Sequence, residues 1–161
     1  MKDKTCCFTG HREIPIDQLS IFKQRTEEYI RRLIDKGVIY FGVGGALGYD
    51  TLVARLLLTL RETEFNHIKV ILVYPFHGFT NCWTPAQQAT YNELLLKYDK
   101  RVCISKQAGK GAYLQRNRYL VDFSGYCIAY CTRPTGGTAY TLRYAQVKGL
   151  NIWNTATIEP T

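Results

Sequence analysis

Short apolar runs and helical periodicities alternate along the chain from residue 5 onward. Runs rich in β-branched, aromatic and cysteine side chains, without clean polar alternation, fall at residues 5–8, 38–43, 68–74, 101–104, 126–130 and 151–153. Strands covered on both faces read this way. After the first run, Leu19, Phe22, Thr26, Tyr29, Ile30 and Leu33 recur at helical spacing, and Gly37 supplies a stop. A second helix is predicted over 51–61, capped by Asp50, and a third over 85–98, opened by Thr84 followed by Pro85. Residues 113–123 and 138–148 make the fourth and fifth helices, the last ending at Gly149. Such alternation predicts an α/β chain, one doubly wound domain over residues 1–161, with a mostly parallel sheet and helices on both faces.

Composition narrows the class. Of 161 residues, 46% are apolar and 21% charged, an ordinary globular balance. No apolar run approaches the roughly 20 residues of a membrane helix. Met1-Lys2-Asp3-Lys4 leads into a strand rather than an apolar signal region, so a cytoplasmic location without membrane contact is expected. Of the six cysteines, Cys6 and Cys7 are adjacent and point to opposite faces of one strand. No pair has C-x-x-C spacing, and His11, His67 and His77 have no metal-ligand spacing to a cysteine. The cysteines are expected to be small buried hydrophobes, with no metal and no required cofactor. The 21 Lys and Arg against 13 Asp and Glu leave a net charge of +8, which suits nucleic acid, a phosphorylated small molecule or solubility alone.

In open parallel sheets, ligands bind beyond the carboxyl ends of the strands. The loops expected there are Thr9-Gly10-His11-Arg12, the run from Gly44 and Gly45 to Asp50, Pro75-Phe76-His77-Gly78, and Arg133-Pro134-Thr135-Gly136-Gly137-Thr138. The last is an anion cradle at a helix start, or a tight turn capped by Thr138. The glycine run at 42–48 fails the dinucleotide fingerprint, because Leu47 stands at its third glycine, and no P-loop is present. Gln115-Arg116-Asn117-Arg118-Tyr119 opens the fourth helix and offers guanidinium forks, with Tyr113 and Tyr119 able to stack on a base. Arg116 and Arg118 lie about 200° apart on a helix, so one of them faces the crevice. Phe76 and Trp83 either bracket a base or pack against the third helix.

These residues assemble into a resemblance. Cys6-Cys7-Phe8-Thr9-Gly10-His11-Arg12, Gly45-Ala46-Leu47-Gly48-Tyr49-Asp50, Arg116-Asn117-Arg118-Tyr119-Leu120-Val121-Asp122 and Gly136-Gly137-Thr138-Ala139-Tyr140-Thr141 with Tyr144-Ala145 resemble, in order, the motifs of the YpsA-like branch of the SLOG superfamily. The resemblance implies a Rossmann-like fold that binds a nucleotide or nucleotide-derived ligand, and it raises the binding reading for Arg12, Gly45, Asp50, Arg118, Gly137 and Thr138. In the related LOG enzymes a P-G-G-x-G-T-x-x-E element supplies a catalytic glutamate. Thr141 stands at that position here, and a hydroxyl is a poor substitute for a carboxylate. Gly125 also departs from the branch, where aspartate commonly follows the serine.

Three functions follow as expectations. The first is capture of an ADP-ribose-like signalling nucleotide by a sensor, or by a sequestering sponge such as a phage encodes. A nucleotide hydrolase of the LOG type would need Asp50 or Asp122 in place of the glutamate. A single-stranded nucleic-acid binder, as in the SLOG relative DprA, would use the basic and aromatic residues. Twelve tyrosines further suggest a homodimer or higher oligomer, or an aromatic pocket lining.

Overall fold

A computed structural model describes residues 1–157. It contains six strands, β1 (Thr5–Gly10), β2 (Tyr40–Val43), β3 (Lys69–Phe76), β4 (Lys100–Ser105), β5 (Tyr126–Tyr130) and β6 (Asn151–Asn154). All pair in parallel, in the order β4-β3-β2-β1-β5-β6. Five helices connect them: α1 (Leu19–Asp35), α2 (Tyr49–Thr63), α3 (Pro85–Leu95), α4 (Lys110–Asp122) and α5 (Gly137–Val147). The chain builds outward from β1 to β4, then crosses back to β5 and β6. Right-handed crossovers therefore put α1, α2 and α3 on one face and α4 and α5 on the other.

The two cores agree. Phe22, Ile30, Leu33, Val53 and Leu57 of α1 and α2 pack with Cys6, Phe8 and Phe41. Leu120, Val121 and Ala145 of α4 and α5 pack with Cys7, Val73 and Cys127. Cys6 and Cys7 do face opposite sides of β1. Cys6, Cys7 and Cys127 are buried, but Cys82 is exposed and Cys103 and Cys131 half-buried, so the uniform burial expected of the cysteines does not hold.

Several boundaries move for identifiable reasons. Val38 is buried, yet its N–H bonds the Leu33 carbonyl at 3.0 Å to close α1, so β2 starts at Tyr40. At Leu95 α3 stops, short of 98, and its start carries the expected cap, with the Thr84 hydroxyl accepting from Gln87 N–H and the Gln87 side chain answering. Gly109, at φ +143°, lets α4 begin at Lys110 rather than 113. Gly48, at φ +75°, starts α2, so Asp50 is not its cap; its carboxylate instead accepts the Ala46 N–H upstream at 3.1 Å. Gly125 has a steric cause: a Cβ there would lie 2.6 Å from the Lys2 carbonyl oxygen.

Candidate functional site

The reversal of strand order puts β1 and β5 side by side, and the loops leaving their carboxyl ends diverge over opposite faces of the sheet. This is the topological switch point, where open α/β sheets bind ligands. A cleft of about 1400 Å³ lies there. It is walled by Thr9, Gly10, His11 and Arg12 after β1, by Gly44, Ala46 and Asp50 after β2, by Lys110, Tyr113, Arg116 and Asn117 of α4, and by Thr132, Arg133 and Gly136 to Thr138 after β5.

Two loops are stitched together at its floor. The His11 N–H donates to the Tyr130 carbonyl at 3.3 Å, and the Thr132 N–H donates to His11 Nε2 at 2.9 Å. The imidazole is 6% exposed and meets the Tyr130 ring edge-on at 5.3 Å. Burial, and then the Arg133 charge, lower its pKa, so the ring is neutral near pH 7. Behind it, the Tyr49 N–H donates to the His11 carbonyl at 3.1 Å.

At the back of the cleft, Arg116 is 5% exposed; its Nη1 donates to the Gly44 carbonyl and its Nε to Asn117 Oδ1 at 2.8 Å. Asp50, 7% exposed, faces it. Burial raises the Asp50 pKa against the pull of the Arg116 charge, and burial lowers that of Arg116 against the pull of Asp50. The Arg116 bond to the Gly44 carbonyl thus holds the second loop to α4, with the buried Asp50 carboxylate nearby as the opposing charge. Arg12, exposed, lies with its guanidinium 5.9 Å from the Tyr113 ring centre, while Arg116 sits 5.7 Å from it.

At the other end α5 begins. Gly136 has φ +100°, no side chain caps the helix, and Gly136, Gly137 and Thr138 line the cleft. Uncapped N–H groups at the positive end of a helix attract anions. A Cβ on Gly136 or Gly137 would meet nothing within 4 Å, so these glycines leave the backbone open rather than serving packing. Thr138 does not cap the helix. Four basic side chains (Arg12, Lys110, Arg116 and Arg133) line the cleft against two carboxylates (Glu13 and Asp50).

Other candidates stand elsewhere. Arg118 lies on the far side of α4, where Nε donates to the Tyr140 hydroxyl at 3.1 Å. Burial-free Arg118 also sits 5.6 Å from the Tyr144 ring centre. Asp122 shares that outer side and accepts from the Tyr144 hydroxyl at 2.7 Å. Gly45, at φ +73°, packs against Leu72 and Tyr91. Phe76 contacts Phe79 and Tyr113 edge-on, behind the lining. Trp83 borders a separate hollow of about 480 Å³ with Leu19, Leu52 and Tyr91. Thr141 is buried and donates to the Gly137 carbonyl at 2.9 Å. Lys110 and Thr132 line the cleft outside the loops that the sequence points to. Lys110 was hidden because the helix start was placed three residues late; Gly109 was the available signal.

Among the described residues no group of three His, Cys, Asp or Glu is placed to hold a metal, and no helix is long and apolar enough to cross a membrane. The chain resembles UPF0398 proteins, among them one of Shouchella clausii, 30% identical over 127 residues, covering 77% of this chain and 68% of the relative. A second, from Halalkalibacterium halodurans, is 30% identical over 131 residues, covering 80% and 69%. Among solved structures, one concerned with the single-stranded DNA binding mode of DNA processing protein A from Helicobacter pylori superposes with a TM-score of 0.68 at 20% identity. That match covers 95% of this chain, which spans 65% of the length of the other, and it establishes the shared fold. The family model YpsA, described as the YspA SLOG family, matches residues 6–158, a span that contains all four motifs, and the chain belongs to that SLOG family.

Proposed function

We propose that the chain binds a nucleotide-derived, ADP-ribose-like small molecule in the cleft between the β1 and β5 loops, as a sensor or a sequestering protein rather than a hydrolase. One observation carries the reading: the uncapped start of α5, Arg133 and Arg12 converge on a cleft whose buried carboxylate, Asp50, is engaged by the Ala46 N–H with the Arg116 charge nearby. This arrangement suits phosphate oxygens, and the position of the LOG-type catalytic glutamate is held by the Thr141 hydroxyl. Tyr113, flanked by Arg12 and Arg116, supplies the face on which a base stacks. Asp122, engaged by Tyr144 on the outer side of α4, is badly placed to replace the glutamate absent at Thr141.

The test is calorimetry with ADP-ribose, NAD, cyclic ADP-ribose isomers and cyclic dinucleotides. Binding that Gly137→Asp and Arg12→Ala each weaken by about tenfold or more supports the reading. Silence across the panel, or release of free base on long incubation, overturns it. A second reading, single-stranded nucleic acid along the same basic edge, draws on the binding described for DNA processing protein A. It requires an oligonucleotide affinity that falls steeply with salt, because each phosphate contact releases counterions.

A further inference from the structure

His11 presents a donor problem. The backbone N–H of Thr132 can only donate, so Nε2 of His11, 2.9 Å away, must carry a lone pair. A neutral imidazole has a single N–H, which therefore sits on Nδ1. That atom faces Nη2 of Arg133 at 3.1 Å, and a guanidinium has no acceptor. Two donors thus stand side by side at the floor of the cleft with nothing between them to receive either proton. Two nitrogens at that separation can both donate to one oxygen at the apex of a triangle, at ordinary hydrogen-bond distance from each.

Resting on the nucleotide reading above, we propose that His11 Nδ1–H and Arg133 form a paired donor seat for one phosphate oxygen of the ligand, with the imidazole neutral throughout. The start of α5 continues the seat, since Gly136, Gly137 and Thr138 line the same cleft. Three features keep the ring uncharged. Protonating Nε2 would break the Thr132 bond, His11 itself is 6% exposed, and the facing groups are the Arg133 cation and the neutral Tyr130 phenol. Arg12 and Glu13 of its own loop, Asp50 of α2, and Lys110 and Arg116 of α4 also line the cleft, three cations against two carboxylates. Donation without charge makes capture of a phosphate diester insensitive to pH across the usual histidine range, unlike capture by an imidazolium.

The experiment combines histidine ¹⁵N NMR with affinity for ADP-ribose, whose pyrophosphate diester keeps a constant charge near neutral pH. The expected result is a protonated Nδ1 and an unprotonated Nε2 on His11, with the Nδ1 signal moving as ADP-ribose is added. Affinity should stay within about twofold from about pH 6 to about pH 8. His11→Gln keeps an acceptor for the Thr132 N–H but lacks the Nδ1 donor, and should bind ADP-ribose about tenfold more weakly or worse while binding adenosine unchanged. ADP-ribose binding that His11→Gln leaves intact, a proton on Nε2, or an affinity that falls tenfold as pH rises through the histidine range would each overturn the seat. Inorganic pyrophosphate separates the two ideas. If it moves Nδ1 while ADP-ribose does not bind, the nucleotide reading fails and the seat stands; if ADP-ribose binds without moving Nδ1, the seat fails and the nucleotide reading stands; if neither probe binds, both fail.

Discussion

Glycines in this chain do two different jobs, and substitution separates them. A Cβ on Gly48 would fall 2.2 Å from the Arg12 carbonyl oxygen, at a backbone φ of +75°. Gly48→Ala should therefore lose about 3 kcal/mol or more in urea unfolding. Gly137 has open space around its α-carbon, so Gly137→Asp should melt within a few degrees of wild type while losing the anionic ligand. By spacing and position, the glycines at the start of α5 read as an anion cradle, while the run at 42–48 fails the dinucleotide fingerprint. The open space around Gly136 and Gly137 is compatible with the cradle reading, whereas Gly10 and Gly48 exist because Tyr49 and the Arg12 backbone press against them, a contact between elements that spacing does not encode. The buried Asp50 and Arg116 pair makes a second residue-scale prediction. Arg116→Ala should cost about 1–3 kcal/mol by leaving the Gly44 carbonyl without its donor, and Asp50→Asn should recover part of that loss in the double variant by removing the nearby buried charge. The folded-state pKa of Asp50 is raised, chiefly by burial, so its contribution is fully present below about pH 4 and is lost as pH rises through the raised value. The stability of wild type relative to Asp50→Asn should accordingly decline between acid and neutral pH in denaturant titrations.

At the level of elements, the amino end of the β3–β4 pair depends on Asp99. Its Oδ2 accepts the Val70 N–H at 2.8 Å and the Arg61 guanidinium at 2.7 Å, tying the approach to β4 to β3 and α2. Burial raises the Asp99 pKa, but the Val70 bond and Arg61 outweigh it, and the net shift is downward. Asp99→Ala should cost about 1–3 kcal/mol at pH 7. The contribution is present above about pH 4 and vanishes as pH falls through the lowered value, so variant and wild type should converge in acid urea melts. Helices and strands were largely legible, since both-face burial and helical spacing are local signals. Ends were less so, because α4 starts where Gly109 frees the backbone and α3 stops at a turn, not where the periodicity breaks.

Across the whole molecule, the cleft depends on loops from residues 9–12, 44–50 and 132–138 meeting on one edge, so a ligand held by all three should stabilise the complete fold. ADP-ribose at a hundred times its Kd should raise the melting temperature by roughly 5–10 °C, from about 2.7 kcal/mol of linkage. Gly137→Asp should show no such rise. The net charge of +8 has no single owner: Arg12, Lys110, Arg116 and Arg133 line the cleft, while Arg118 and Lys148 lie against the tyrosines of the outer α4–α5 face.

Sequence alone determined the alternation of strands and helices, hence a parallel doubly wound sheet, and the four motifs that place the chain in its SLOG family. It also located the edge that carries the cleft, because chain direction obliges every strand-to-helix loop to emerge on the same side. Tertiary structure decided which residues on that edge share a site. Arg116 and Arg118 are two residues apart, yet one is buried against Gly44 and Asp50 while the other rests on Tyr140. The facing of His11 onto Arg133, 122 residues away in sequence, likewise arises only when β1 and β5 become neighbours. Strand order is set by long-range packing and crossover handedness, and no local pattern of hydrophobic and polar residues carries that information.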